Sequence, residues 1–287
     1  MKTLLGVLRS SGAHWVGDGF PVRSLFGYTG DTRAISPFLL FDYAGPHLFD
    51  PAEQPRGVGR HPHRGFETVT IVYDGEVSHK DSTGGGGTIG PGDVQWMTAG
   101  GGIIHEEFHS TGFTKTGGPF RMVQLWVNLP AKDKMSRPSY QAIASDTIPV
   151  VEVAGASGQA RIIAGDFRGT KGPATSFIPI NLWDVRASAG SDIDLPLPDA
   201  HNAMIAVLAG QVTIDGQSIR EAEIARLSST GEGAKVHADG ESILLVMTGE
   251  PIDETVVGYG PFVMNSEAEI RQAIDDFNSG RFARIAA

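Results

Sequence analysis

His61-Pro62-His63-Arg64-Gly65-Phe66-Glu67 opens, and Gly102-Ile103-Ile104-His105-Glu106-Glu107 closes, the stretch on which the reading of this chain turns. Each end carries two potential metal ligands two positions apart. Side chains at i and i+2 of a β-strand point to one face. His61 and His63 can therefore face one point, and so can His105 and Glu107. Two such strands facing each other present three imidazoles and one carboxylate. Mixed nitrogen and oxygen ligation of this kind suits a divalent transition metal better than calcium or magnesium. His-x-His alone is a weak signal, because two surface histidines on a strand give the same pattern. The second half supplies the weight: His105-x-Glu107 lies on a later strand, past a Gly-rich turn. Five of the nine histidines fall between positions 61 and 109. Strand parity also admits Glu67, so the residues by themselves leave the choice between Glu67 and Glu107 open.

Working outward, the chain reads as consecutive short strands. Thr68–Tyr73 is followed by Asp74-Gly75, a hairpin signal, with Glu76–His79 as the return strand. Gly84–Gly87 reads as a flexible turn; no Gly-Lys-Ser/Thr follows, which excludes a phosphate loop. Pro91-Gly92-Asp93 and Gly100-Gly101-Gly102 are further turns, and Arg121–Val127 alternates cleanly. With 38 glycines and 17 prolines spread along the chain, this is the look of an all-β sandwich or barrel.

The polar stretch 131–138 reads as a boundary, dividing residues 1–130 from residues 131–287. The second half repeats the rhythm of the first. Ala203–Leu208, Ala209-Gly210 and Gln211–Ile214 mirror Thr68–Tyr73, Asp74-Gly75 and Glu76–His79. Matching Gly75 with Gly210 gives an offset of 135 residues, on which Pro196 and Pro198 stand where His61 and His63 stand. The second half thus repeats the strands without the ligands. A helix is expected at about 266–279, with Ser266 and Glu269 as a capping box, Ile270, Ala273, Ile274 and Phe277 as its apolar face, and Gly280 as its stop.

The composition narrows the function. A net charge of −10 argues against broad binding to nucleic acid or anionic membranes. The chain has no cysteine, which excludes disulfides, thiolate metal sites and cysteine nucleophiles. Its N-terminal apolar run is broken, and Ile243–Met247 is far too short to span a bilayer, so a cytoplasmic protein is expected. No Gly-x-Ser-x-Gly elbow is present, nor a dinucleotide fingerprint between strand and helix. Arg64 points away from the ligands by alternation and reads as a salt-bridge residue. Neither His79 nor His109 is expected to be a ligand, and a pocket-rim role for His109, which shares the parity of His105 and Glu107, is the minor alternative. Phe66, Trp96, Met97 and Trp126 read as core, some of them lining a pocket mouth.

The two halves of the opening stretch, together with Pro37–Asp42, Trp126–Pro130, Tyr259–Asn265 and Glu267–Ile274, resemble the pirin family of the cupin superfamily. These landmarks span nearly the whole chain. The resemblance implies a bicupin, two antiparallel β-barrel or jelly-roll domains, with one mononuclear metal in the N-terminal barrel. It favours Glu107 over Glu67, making His61, His63, His105 and Glu107 the ligand set. Glu67 is then expected to bond a ligand imidazole N–H. The implied cofactor is one divalent transition metal per chain, Fe(II) ahead of Mn, Ni, Cu, Co or Zn. The implied activity is that of a quercetin 2,3-dioxygenase, acting on a flavonol and O₂ with Glu107 as general base, opening the central ring and releasing carbon monoxide. The alternative that the resemblance carries is a metal-dependent regulatory protein acting through a protein partner.

Overall fold

The structure, a computed structural model, describes residues 1–153 and 158–283. Strand accounts for 54% of the chain and helix for 11%, arranged as two cupin-type domains and a short C-terminal helix. Phe66–Asp74 shows why: Phe-Glu-Thr-Val-Thr-Ile-Val-Tyr is dominated by β-branched and aromatic residues, and every one of these eight is buried.

In the histidine-bearing unit one antiparallel sheet runs Ser139–Ile143, Val94–Thr98, Phe66–Asp74, Gly118–Asn128, Phe38–Phe49, Phe20–Gly27, Ala13–Val16. The second sheet runs Gly57–His63, Ile103–His109, Val77–Asp81, Gly86–Ile89. Phe20, Val72, Val77, Ile89, Phe120 and Met122, drawn from both sheets, form one buried cluster. The other unit repeats this order. Its long sheet runs Leu4–Arg9, Glu223–Leu227, Asn202–Ala209, Ser242–Gly249, Ile180–Ala187, Gly158–Ala164, Val150–Glu152, and its short sheet Asp192–Leu195, Ala234–Ala238, Gln211–Ile214, Gln217–Arg220. The internal repeat is therefore structural.

Two local expectations change. Asp74-Gly75 does not close a hairpin: Phe66–Asp74 and Val77–Asp81 lie in different sheets. A tight two-residue hairpin of the favoured type needs positive φ at both central residues. Of this pair only Gly75 has it, at 85°, and a Cβ there would come within 2.7 Å of the Phe120 ring. The chain therefore turns a corner from one sheet to the other, and Gly210, at φ 79°, turns the matching corner in the second unit. Asp215-Gly216, with φ 48° and 75°, does make the tight hairpin, pairing Ile214 with Gln217. The run Gly84–Gly87 is also only partly a turn, since Gly86 and Gly87 pair with Lys80 and His79.

The units do not follow a single cut near position 130. One comprises Met1–Ser11, Arg33–Pro37 and Asp146–Ile252, the other Gly12–Thr32, Phe38–Ser145 and the described chain from Asp253. Leu4–Arg9 pairs with Glu223–Leu227, supplying an edge strand to a sheet built from the second half. The C-terminal helix, Glu267–Asn278, belongs to the histidine-bearing unit. Its cap is as expected at Ser266, which accepts from the Glu269 N–H, and Glu269 reaches back to the Asn265 N–H and the Ser266 hydroxyl. Gly280 ends it at φ 73°. Ile270 and Ala273 bury against Phe262, Met264 and Phe282, with Ile104 packed on the same cluster. No described helix is long and apolar enough to cross a membrane.

Lys134 fastens this C-terminal segment. It is 1% exposed and donates to the Gly65 carbonyl at 2.8 Å, the Asn128 side chain at 2.7 Å and the Val263 carbonyl at 3.0 Å. Burial pushes its ammonium down to about 7, while Glu254 and Glu269 pull it up. Replacing Lys134 by methionine keeps the stem and strands three buried acceptors. That is expected to cost about 3 kcal/mol, since charged hydrogen bonds are worth about 1.5–3 kcal/mol each and orphaned acceptors add to the loss. Thermal unfolding should show it as a melting temperature lower by roughly 10 °C; an unchanged value would remove the lysine from the account of stability.

Candidate metal centre

Gly57–His63 and Ile103–His109 pair antiparallel, with Ile103 opposite His63 and His105 opposite His61. Ile103–His109 alternates strictly, burying residues 103, 105, 107 and 109 on one face. A one-residue slip of register between His105 and Glu107 places Val58 opposite Glu107. The extra residue falls near Gly59, whose carbonyl accepts from His61 Nδ1 at 2.8 Å. That bond commits His61 Nδ1 to its proton and leaves Nε2 as the lone-pair nitrogen.

The three imidazoles converge. Ring centroids lie 4.3 Å apart for His61 and His105, 4.9 Å for His61 and His63, and 4.9 Å for His63 and His105. One nitrogen from each lies within 4.8 Å of the others, the one such cluster among the described residues. Burial drives the His63 and His105 pKa well down, and each is lowered further by its histidine neighbours; the Pro261 carbonyl pulls His63 partly back. They are therefore neutral ligands in waiting. His63 Nδ1 and both nitrogens of His105 have no hydrogen-bond partner among the described residues. Buried, neutral, unpartnered and mutually facing, these donors fit a transition metal, and no internal hydrogen bond competes for them.

Glu107 faces the same interior and is 4% exposed, but it stands outside the 4.8 Å set of nitrogens. Burial raises its pKa, and His61 and Gln124 lower it. Gln124 Nε2 lies 3.3 and 3.5 Å from the two carboxylate oxygens, and Gln124 Oε1 accepts from the Trp126 indole at 3.3 Å. Phe66 and Trp126 stack at 4.1 Å and flank His63 at 5.2 and 5.3 Å, forming an apolar wall. Sequence reading did not single out Gln124. Its available signal was a polar residue in step with Met122 and Trp126 on an otherwise largely apolar strand, where it is half-buried.

Glu67 does not hold a ligand imidazole. Its Oε1 accepts from the Thr98 hydroxyl at 2.7 Å and its Oε2 has no partner. Gly65, at φ 89°, breaks the strand after His63, and Phe66–Asp74 lies in the other sheet. Parity cannot be carried across that break: Phe66 faces His63, so its neighbour Glu67 faces away. Burial raises the Glu67 carboxyl to about 7 from the ordinary 4.5, Thr98 opposing. The folded protein thus binds this proton more tightly than the unfolded chain. Stability from it is full below about 4.5 and is lost as pH rises to about 7. Glu67→Gln should therefore keep the metal, melt close to wild type near pH 5, and gain up to about 3 kcal/mol at pH 8. Metal analysis and melting at the two pH values check this; loss of metal would return Glu67 to the ligand set.

Arg64 forms the expected ion pair, Nη1 to Asp276 Oδ2 at 2.8 Å, and is itself buried, the structural form of that reading. It also donates to the Gly101 carbonyl at 2.7 Å and lies 4.4 Å over the Phe282 ring. Its role is to brace the turn after His63 with the C-terminal helix. His109 is 2% exposed, donates to the Gly19 carbonyl at 2.9 Å and sits among Phe49, Phe113 and Phe120, although one edge borders a surface cavity with His79 and Phe108.

Comparison with known proteins agrees with the two-cupin fold. Residues 19–127 match the family described as Pirin, and residues 182–283 match the Pirin C-terminal cupin domain. A Pseudomonas aeruginosa protein provisionally named a quercetin 2,3-dioxygenase is 54% identical, over 99% of both chains. The crystal structure of a quercetin 2,3-dioxygenase from Acinetobacter baumannii is similar at 50% identity with a TM-score of 0.96, covering 100% of both chains. A bacterial pirin of Escherichia coli, solved in complex with nickel(II), shares the fold at 20% identity and a TM-score of 0.66, over 86% of this chain and 99% of its own.

Proposed function

Since the chain belongs to the pirin family, we propose that it is a mononuclear metal enzyme of the quercetin 2,3-dioxygenase type, opening the central ring of a flavonol with O₂ and releasing carbon monoxide. The observation that carries this is the convergence of three imidazoles inside one barrel, with one nitrogen from each within 4.8 Å of the others and with His63 Nδ1 and both His105 nitrogens lacking any partner among the described residues. His61, His63 and His105 would hold one divalent metal, Fe(II) first among the candidates, and Glu107 would complete the set. A metal bound there supplies Lewis acidity that makes a flavonol hydroxyl acidic at neutral pH.

The chain's own residues do the rest. Glu107 takes the proton of that hydroxyl onto a carboxylate oxygen. Burial makes this carboxylate more basic than an exposed one, and the long bonds to Gln124 leave it able to accept. Gln124, itself tied to the Trp126 indole, sets the direction of the carboxylate. Phe66 and Trp126 offer a flat apolar wall to a planar aromatic ligand and exclude water from it.

The test is reconstitution of the purified protein with Fe(II), following quercetin loss and carbon monoxide release together under O₂. Metal-dependent loss with stoichiometric carbon monoxide is expected. Metal-loaded protein that leaves quercetin intact would overturn the dioxygenase reading and favour the regulatory one, with a protein partner.

A further inference from the structure

Beside the three histidines, on the same inner face, lies a group of polar side chains that the fold leaves without partners. Val77, His79 and Asp81 turn inward from their strand, while Ser78 and Lys80 turn out. His79 stands opposite Glu107 and Asp81 opposite His105. They begin one strand spacing, about 5 Å, from the histidine centre. From the facing sheet Tyr140 stacks on His79 with ring centroids 4.6 Å apart. In that sheet Tyr140 pairs with Met97, and Gln95 pairs with both Thr70 and Ala142, which sets Thr70, Gln95 and Tyr140 on one face.

Gln95 is 1% exposed, His79 2%, and Thr70 fully buried. Yet neither side-chain polar atom of Gln95, neither ring nitrogen of His79, nor the hydroxyls of Thr70 and Tyr140 has a partner among the described residues. Asp81 Oδ1 anchors its loop by accepting from the Thr83 N–H and hydroxyl and from the Gly85 N–H. Asp81 Oδ2 is left without a partner, 4.0 Å from His79 Nε2. A buried polar atom with no partner costs about 1–3 kcal/mol. Gathering several of them on one face opposes folding unless water or a ligand satisfies them, and a ligand that brings matching donors and acceptors can take the water's place.

Their chemistry selects that ligand. The unpartnered groups are hydroxyls on Thr70 and Tyr140, the Gln95 amide, the His79 imidazole stacked on Tyr140, and one oxygen of Asp81. The face therefore offers neutral donors and acceptors plus one carboxylate oxygen. It can accept from ligand hydroxyls through Asp81 and Gln95 Oε1, and donate to ligand oxygens through Gln95 Nε2, Thr70 and Tyr140.

We infer that Thr70, His79, Asp81, Gln95 and Tyr140 form a hydroxyl-recognising subsite for a neutral polyhydroxylated aromatic ring, adjoining the metal centre. It rests on the reading that the centre takes a flavonol, and it names where the ring hydroxyls are read. These are specificity residues, distinct from the ligands and from Glu107.

The test compares resorcinol, a dihydroxylated ring that chelates metals poorly, with toluene, using calorimetry on the purified full chain loaded with zinc. Wild type is expected to bind resorcinol the more tightly. Gln95→Leu and Thr70→Val should each weaken resorcinol about tenfold, the loss of about one hydrogen bond, and leave toluene unchanged. Without ligand, both variants should melt at or above the wild-type temperature, because the atoms removed had no partner. A structural role predicts the reverse: lower melting temperatures with resorcinol affinity intact. That result, or wild type binding resorcinol no better than toluene, overturns the subsite. Flavonol turnover is read separately. Its absence, with the resorcinol preference and its loss in the variants intact, removes the dioxygenase reading and leaves the subsite. Turnover with resorcinol binding unaltered in Gln95→Leu overturns the subsite alone.

Discussion

Replacing His105 by alanine is expected to leave the chain folded and unable to hold its metal. His105 is the ring closest to His61, at 4.3 Å between centroids, and it contacts His63 as well. Its removal leaves two imidazoles and one loosely held carboxylate. Changes to residues that only orient a ligand typically cost about 10–100-fold in metal affinity; loss of a direct ligand should cost at least about a hundredfold. Elemental analysis after desalting should fall from near one equivalent to near none, and Fe(II)-dependent turnover should vanish with it. The metal-free fold should suffer little, because neither His105 nitrogen makes a hydrogen bond among the described residues. Metal-free wild type and variant should therefore melt within about 2 kcal/mol of one another, the residual being the small cavity that the ring leaves. Retention of a full equivalent of metal would overturn the ligand assignment.

Glu107→Gln should produce the second large effect, of a different kind. The substitution keeps the size of the side chain and all three imidazoles but removes the proton acceptor. Per bound metal, turnover should drop about 10²–10⁴-fold, the usual contribution of a positioned base. Metal content must be measured on the same sample, since the carboxylate is also proposed as a ligand. A variant that loses metal yet turns over normally per metal would make Glu107 a ligand only. One that keeps metal but loses turnover would make it a base that lies beside the set. The structure motivates the distinction: Glu107 faces the histidines but lies outside their 4.8 Å group, and its bonds to Gln124 are long.

Much of this was legible in the residues. Period-two alternation and dense turn signals are local properties, so the all-β class, the ligand strands and the repeat of 135 residues could be read directly. The two His-x-His/His-x-Glu halves place their side chains by parity within one strand, and parity is reliable as long as the strand is unbroken. The capped C-terminal helix was equally local: Ser266, Glu269 and Gly280 act within one turn of its ends.

What failed, failed where a local rule was carried across a break or a long chain distance. Glu67 was assigned to the face of His63, but Gly65 turns the chain into the other sheet and reverses which way Glu67 points. Asp74-Gly75 has hairpin composition, yet Phe120 packs so closely on Gly75 that the turn serves as a corner between sheets. No local signal tells that Leu4–Arg9 pairs with Glu223–Leu227, or that the helix at the end of the chain braces Arg64 through Asp276. Nor could spacing reveal that Gln124, or His79 with Tyr140, would stand beside the histidines. The sequence by itself determined the strands, their repetition and the candidate ligand types. Only the tertiary structure decided which carboxylate faces the three histidines and which polar groups surround them, because burial and unmet hydrogen bonds exist only once distant strands are brought together.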